Sequence, residues 1–313
     1  MNPVMRTENL NKRFGKTLAV DSISLAVPEG SIYALVGANG AGKTTLIKLL
    51  MNILRPDAGS AHVLGIASHD LAGAAFNRIG YVSENQELPD GMTVGGMLDY
   101  FRPFYPTWDR ALELQLVRQF DLPLNRKLKQ LSRGMRMKAS FASSLAYRPS
   151  LIILDEPFSG LDPLVRDELI EGLIERAPET TIFLSSHDLA EIESFSSHVG
   201  YLQNGRLLFS DEMSVLSNRF RDVTITFSTP PVLEPTLPAT WLEPQAVDHV
   251  LRFVDSDFSE DRSPREFAQR FPSARDIACK PMTLRQIFLA IAKAGRGTRV
   301  SPGSTGSEEE KHA

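Results

Sequence analysis

Cys279 is the only cysteine in this 313-residue chain. No intramolecular disulfide can staple the fold, so stability has to come from a packed core, and a lone thiol fits a reducing compartment. Long hydrophobic runs are missing as well. Nothing approaches the roughly 18 consecutive apolar residues of a membrane span, so any membrane role goes through a partner. The opening segment, MNPVMRTENLNKRFG, has no apolar stretch of the kind found in a secretory signal. Strong charge of one sign is also absent. Lys and Arg total 34 against 38 for Asp and Glu, a formal net charge of −4, which gives no basic footprint for nucleic acid. No nucleic-acid partner is expected. There is no internal repeat. With 42% hydrophobic and 23% charged residues, the chain can bury the core of one large domain, or of a medium domain plus a small one.

Residues 4–36 read as strands with turns, ending in the apolar run Ser31–Val36 (SIYALV), which stops at Gly37 as a buried strand would. A glycine-rich loop and a helix over Lys43–Leu50 follow. Residues 94–148 read as mainly helical, with Pro123 and Pro149 as breaks. Leu151–Leu154 and Thr181–Ser185 are further buried strands. Between them, Asp162-Pro163 predicts an N-cap with proline at the first helical position and a helix to about Arg176. Apolar strands alternating with helices imply an α/β fold with a largely parallel sheet covered on both faces.

Composition changes near Phe220. Val223–Phe227 alternates with period two, a proline-rich stretch follows, and Ser263/Glu266 and Thr283/Gln286 both have capping-box spacing. Leu284, Ile287, Phe288 and Ile291 share one face of a closing helix. Residues 220–294 are therefore expected to form a small α+β domain. The polar Gly- and Ser-rich tail, 295–313, is expected to be disordered.

Two motifs carry chemistry. Gly37-Ala38-Asn39-Gly40-Ala41-Gly42-Lys43-Thr44 fits G-x-x-x-x-G-K-[ST]. Glycines let the backbone turn tightly and bring its N–H groups onto phosphate oxygens, and the following helix points its positive end at them. Lys43 would add charge at the β/γ phosphates and Thr44 a hydroxyl for Mg²⁺. Leu151–Glu156 (LIILDE) then ends an apolar strand in carboxylates, at the sheet edge where open α/β sheets bind ligands. Asp155 would hold Mg²⁺ through water. Glu156 would polarise the attacking water, because phosphoryl transfer needs a positioned nucleophile and neutralised charge.

Further motifs narrow the choice. Leu131-Ser132-Arg133-Gly134-Met135 resembles the LSGGQ signature of ATP-binding cassette (ABC) ATPases and lies shortly before the Asp155 strand, as it does in that family. Ser159-Gly160-Leu161-Asp162 resembles the family's D-loop, His187 its switch histidine, and Ile79–Glu84 the stretch leading into its Q-loop. Phe14 sits where the family has an adenine-stacking aromatic. All occur in the family's order over residues 5–210, and the chain is most similar to ATP-binding subunits of bacterial type-2, exporter-like ABC transporters.

The resemblance implies a P-loop NTPase of the ABC ATPase fold over 1–219: a RecA-like core sheet, an antiparallel β subdomain and a helical subdomain at about 86–148. It implies ATP and Mg²⁺ as ligands. Gly37, Asn39, Gly40, Ala41, Gly42, Lys43, Thr44 and Thr45 would hold the phosphates and Phe14 the base. Thr44, Asp155 and Glu84 would surround the metal, and Glu156, His187 and Lys43 would serve catalysis. Ser132 and Gly134 would face the phosphate loop of the other subunit in a dimer, and Asp162 of the D-loop would also belong to the nucleotide site. The implied partners are a transmembrane permease subunit and either a second copy or a related ATPase subunit. The implied location is cytoplasmic, peripheral on the inner face of the cell membrane.

The chain departs from the family pattern at Arg133 and Met135, where glycine and glutamine are commonest, and at Glu84, where the Q-loop has glutamine. The Glu84 carboxylate would still suit a hard cation, and Gln86 is an alternative ligand if the register shifts. Tyr100–Asp109 is dense in aromatics and lies where the family docks a coupling helix of its membrane subunit. Those rings form either that docking surface or the subdomain's own core. Two other classes stay open: a soluble ABC ATPase acting on ribosomes or DNA, and a nucleotide sensor that signals by dimerising. A single phosphate loop and a short interval to the signature speak against the first, and retention of Glu156 and His187 against the second.

Overall fold

The computed structural model describes residues 3–84, 86–231 and 237–297, without the side chains of 292 and 295–297. It divides into two compact units, Met1–Met213 and Ser214–Ala313.

In the first unit, β1 (Met5–Phe14) and β2 (Thr17–Val27) form an antiparallel hairpin. β3 (Ile32–Val36) is buried throughout. It starts one residue later than the apolar run suggests, because the Ser31 hydroxyl donates to the Pro28 carbonyl (2.6 Å) and closes a turn. Next come α1 (Lys43–Leu50), β4 (Ala58–Val63), β5 (Ile66–Ala67) and β6 (Ile79–Ser83). The helical segment holds α2 (Val94–Phe101), α3 (Arg110–Gln119) and α4 (Arg133–Leu145). Thr93, Asp109 and Ser132 cap these helices through their side chains, which satisfies N–H groups that have no partner within the helix. α3 ends before Pro123 and α4 before Pro149, as the proline placement requires. The chain continues through β7 (Leu151–Asp155), α5 (Pro163–Ile174), β8 (Thr181–Ser186), α6 (Leu189–Ile192), β9 (His198–Gln203) and β10 (Arg206–Glu212).

Two sheets result. The antiparallel one runs β2-β1-β4-β5, and the central one β10-β9-β3-β8-β7-β6, parallel except for β10. Leu10, Ile23, Leu35, Leu46, Leu50 and Phe183 belong to one continuous core cluster that joins both sheets to α1. β3, β7 and β8 read as unbroken apolar runs because both of their faces are covered. Their parallel pairing brings the C-terminal ends of the three strands side by side: Val36 is in register with Ser186, and Asp155 with Ser185.

α7 (Met213–Arg219) contains the division at its first residue; the sequence reading places it at the end of the same helix. The second unit consists of β11 (Arg221–Phe227), β12 (Trp241–Val247), β13 (Val250–Asp255), α8 (Ser263–Arg270), β14 (Ala274–Pro281) and α9 (Leu284–Gly297). Its antiparallel sheet runs β12-β13-β11-β14. Val223, Ile225 and Phe227, the period-two residues, pack with Trp241, Phe253 and Phe267. At Thr283 the capping box forms in both directions, with Thr283 N–H donating to Gln286 Oε1 (2.8 Å) and Gln286 N–H to Thr283 Oγ1 (3.4 Å). Ser263 behaves differently. Arg262 takes the cap position, and the Ser263 hydroxyl accepts the Ser259 N–H instead (3.0 Å). α9 continues to Gly297, past Gly295 where the tail was expected to begin. The rest of that tail, 298–313, lies outside the described residues, as does 232–236 of the proline-rich stretch.

Candidate active site

The loop between β3 and α1 curls tightly because its glycines meet backbone on one side. A Cβ on Gly37 would collide with the Leu202 carbonyl oxygen, and one on Gly42 (φ +111°) with that of Ala19. Gly40 also has positive φ (+80°), a conformation open to glycine at little cost. Gly42 is the N-cap of α1, so Lys43 and Thr44 occupy the first turn, where backbone N–H groups lack helical partners and the dipole attracts anions. Asn39 and Gly40 are exposed, Ala41 is buried and Thr45 half-buried. Lys43 is buried. Its Nζ donates to the carbonyls of Gly37 (2.6 Å) and Ala38 (3.2 Å) and lies 2.9 Å from Glu156 Oε1, an ion pair without hydrogen-bond geometry.

Two chains of contacts cross the strand ends. In the first, Asp155 Oδ1 accepts from Thr44 Oγ1 (3.1 Å) and Ser185 Oγ (2.7 Å). In the second, Glu156 sits between Lys43 and His187, whose Nδ1 is 2.7 Å from Glu156 Oε2. Glu156 has φ +51°, the left-handed region, which a non-glycine residue occupies at a cost of about 1–3 kcal/mol. Its N–H is held by Ser185 Oγ (3.0 Å). The hydrogen bond to Glu156 raises the His187 pKa above its ordinary 6.5. Burial works against that shift, while the charges of Glu156 and then Glu191 add to it. Glu191 itself is raised, chiefly by burial.

Ser185 was not singled out from the sequence, yet it holds the Asp155 carboxylate and the Glu156 backbone N–H. The signal was present: a serine closes the TIFLS strand in register with Asp155.

Hard-oxygen donors surround the Thr44 hydroxyl. Asp155, Glu84 and Gln86 line one opening with it, and Gln86 Oε1 is a buried acceptor with no hydrogen-bond partner. Among the described residues no three His, Cys, Asp or Glu side chains converge as a complete metal cage. Mg²⁺ does not need one, since it is usually held by one or two carboxylates together with substrate phosphates and water. The donor set fits that ion. Glu84 is tied to the site through its backbone, its N–H donating to the Asp155 carbonyl (3.0 Å). Its side chain, however, bonds to Arg133 and to Ser159 Oγ (3.1 Å).

Phe14 is 48% exposed at the end of β1, with Lys12 Nζ 5.7 Å from its ring centre. It is therefore no core residue. Ser132 and Asp162 bond within their own helix starts, accepting from Met135 N–H (3.3 Å) and Val165 N–H (3.1 Å). Gly134 is buried, and a Cβ there would press on Val165. Among the described residues these three make no hydrogen bond to the 37–45 loop of their own chain.

The aromatic segment splits in two. Tyr105 stacks on Tyr147 (centroids 3.9 Å apart), and Trp108 Nε1 donates to the buried Glu113 (2.8 Å), which also takes Arg102 and Arg110. Tyr100 and Phe104 pack on each other (5.4 Å) and stay exposed.

A family model described as "ABC transporter" matches residues 20–159. The bacitracin transport ATP-binding protein BcrA of Enterococcus faecalis is 31% identical over 278 residues, 86% of this chain and 90% of that protein. The daunorubicin/doxorubicin resistance ATP-binding protein DrrA of Streptomyces peucetius is 28% identical, covering 99% of this chain and 98% of its own. A solved ATP-binding subunit of an ABC transporter superposes with a TM-score of 0.63 at 27% identity, over 68% of this chain and 91% of the other.

Proposed function

The chain belongs to the ATP-binding subunits of ABC transporters, and on that premise we propose that two such subunits close around ATP and Mg²⁺ to drive a membrane permease, in the direction of export. It is an ATPase. The observation that carries the reading is the double chain of contacts Thr44–Asp155–Ser185 and Lys43–Glu156–His187 across three strand ends.

The 37–45 loop amides and the start of α1 cradle the triphosphate, and Lys43 turns from its loop carbonyls to the β/γ phosphates. Thr44, Asp155 and Glu84 or Gln86 would hold Mg²⁺, which would supply positive charge against the phosphate oxygens. Glu156 accepts a hydrogen bond from the attacking water and takes its proton as the water oxygen bonds to the γ-phosphorus and the bridging oxygen departs with ADP. His187 holds Glu156 from one side and Lys43 from the other, which fixes the carboxylate for that task. Phe14 offers an exposed ring for the adenine. Ser132, Gly134 and Asp162, engaged within one chain only through their helix starts, are left to the nucleotide of a second subunit.

No described helix is long and apolar enough to cross a membrane, so transport needs a separate permease, and Tyr100 with Phe104 is the exposed apolar surface that would meet it. Such a subunit would sit at the cytoplasmic face of the membrane. The names of BcrA and DrrA, bacitracin transport and daunorubicin/doxorubicin resistance, support export.

Glu156→Gln tests the mechanism. It should lower the hydrolysis rate by about 10²- to 10⁴-fold, the usual worth of a positioned general base, while ATP and Mg²⁺ convert the variant to a dimer on size exclusion. A variant that turns over at the wild-type rate would place the water elsewhere.

A further inference from the structure

Glu84 and Arg133 are both departures from the family pattern, and the structure pairs them. The Glu84 carboxylate is bonded by the Arg133 guanidinium and by Ser159 Oγ on the same oxygen. The guanidinium also lies across Gly160, with Nη1 3.0 Å from where a Cβ on that glycine would stand. One arginine therefore joins three chain segments, at 84, 133 and 159–160.

Arg133 is the first residue of α4, directly after the Ser132 cap. A cation there opposes the helix dipole, so its place is unfavourable unless an anion meets it, and Glu84 does. Glu84 in turn faces two openings. One is lined by Thr44, Asp155 and Glu156, the other by Lys129, Arg133 and Arg136. Its backbone is fixed to Asp155, so only its side chain is free to choose between them.

We infer that Arg133 is a positioning residue: by pairing with Glu84 it draws that carboxylate toward the Ser159–Gly160 turn and limits its access to the divalent ion beside Thr44 and Asp155. This rests on the ATPase reading above. Two partly exposed side chains, 49% for Arg133 and 27% for Glu84, make a pair weak enough to exchange partners during turnover.

Mn²⁺ binding to the full chain in the presence of ADP, read from the electron paramagnetic resonance signal of free Mn²⁺, tests this without activity. Arg133→Gln should tighten Mn²⁺ by about two- to fivefold, the range of an exposed ion pair. In the Glu84→Gln background the same substitution should have less than about half that effect, because no carboxylate remains to release. Arg133→Met, which also removes the charge, serves as a second variant with the same expectation. Unchanged or weaker Mn²⁺ binding, or an equal gain in both backgrounds, would overturn the inference while leaving the ATPase reading intact. A wild-type chain that binds neither ADP nor ATP would overturn the ATPase reading itself.

Discussion

His187 Nδ1 lies 2.7 Å from Glu156 Oε2, and the other oxygen of that carboxylate faces the Lys43 ammonium at 2.9 Å. The acid is thus gripped between an imidazole ring and an ammonium group. The His187 pKa stands above 6.5, first because of the hydrogen bond to Glu156. A group whose folded value is raised adds stability in full below its unfolded value, and that contribution is lost as pH rises through the folded value. The His187–Glu156 pair should accordingly be fully formed below about pH 6.5 and loosen as the pH rises through the raised value of the ring. Following the His187 ring signals by NMR should give a pKa above 6.5 in the wild type and a fall toward 6.5 in Glu156→Gln. Identical titrations would mean that the carboxylate does not govern the ring.

Ser185 holds Asp155 Oδ1 and the Glu156 N–H with one hydroxyl. Ser185→Ala removes both bonds from a buried site. Hydrolysis should fall by about 10- to 100-fold, the usual loss when a partner behind a metal ligand is removed. ATP binding without metal should stay near wild type, since the 37–45 loop is untouched. Steady-state rates and fluorescent-nucleotide titrations in EDTA separate the two effects.

Phe14→Ala should weaken ATP binding by about five- to 150-fold, corresponding to about 1–3 kcal/mol for loss of a stacked base. The melting temperature should hardly move, because the ring is 48% exposed and supports no core. GTP affinity should drop to a similar extent, since stacking tolerates any base. Unaltered nucleotide affinity would remove Phe14 from the site.

The two halves of the aromatic segment should respond differently. Trp108→Ala leaves the buried Glu113 without its indole donor and opens the stack near Tyr147. It should cost about 1–3 kcal/mol of stability by thermal or urea unfolding, the usual range for losing a donor to a buried group. Tyr100→Ser with Phe104→Ser should leave stability within about 0.5 kcal/mol but reduce co-purification with a membrane protein. Full retention of that partner would place the docking surface elsewhere.

The loop, the strand ends and their order were legible in the sequence because each is a local rule. Glycines at 37, 40 and 42 permit a turn whatever surrounds them, Asp162-Pro163 starts a helix by its own chemistry, and an apolar run ending in Asp155-Glu156 puts carboxylates at a sheet edge. The Thr283/Gln286 box was legible for the same reason. Ser263, with identical spacing, was not. The turn before it brings the Ser259 N–H to its hydroxyl, and no pattern counted along the helix reports that competitor.

Residue types and their spacing along the chain alone determined the glycine-rich turn at 37–42, the placing of Asp155 and Glu156 at a strand end, and the kinship with ABC ATPases. Only the tertiary structure decided that Ser185 orients Asp155, that Phe14 is open to solvent while Trp108 is bonded to Glu113, and that the added acid at 84 meets the added base at 133. Those residues are 30, 5 and 49 positions apart in their pairs. Strand register and helix packing set such distances, and both depend on which apolar faces bury one another, a property of the whole chain rather than of any segment.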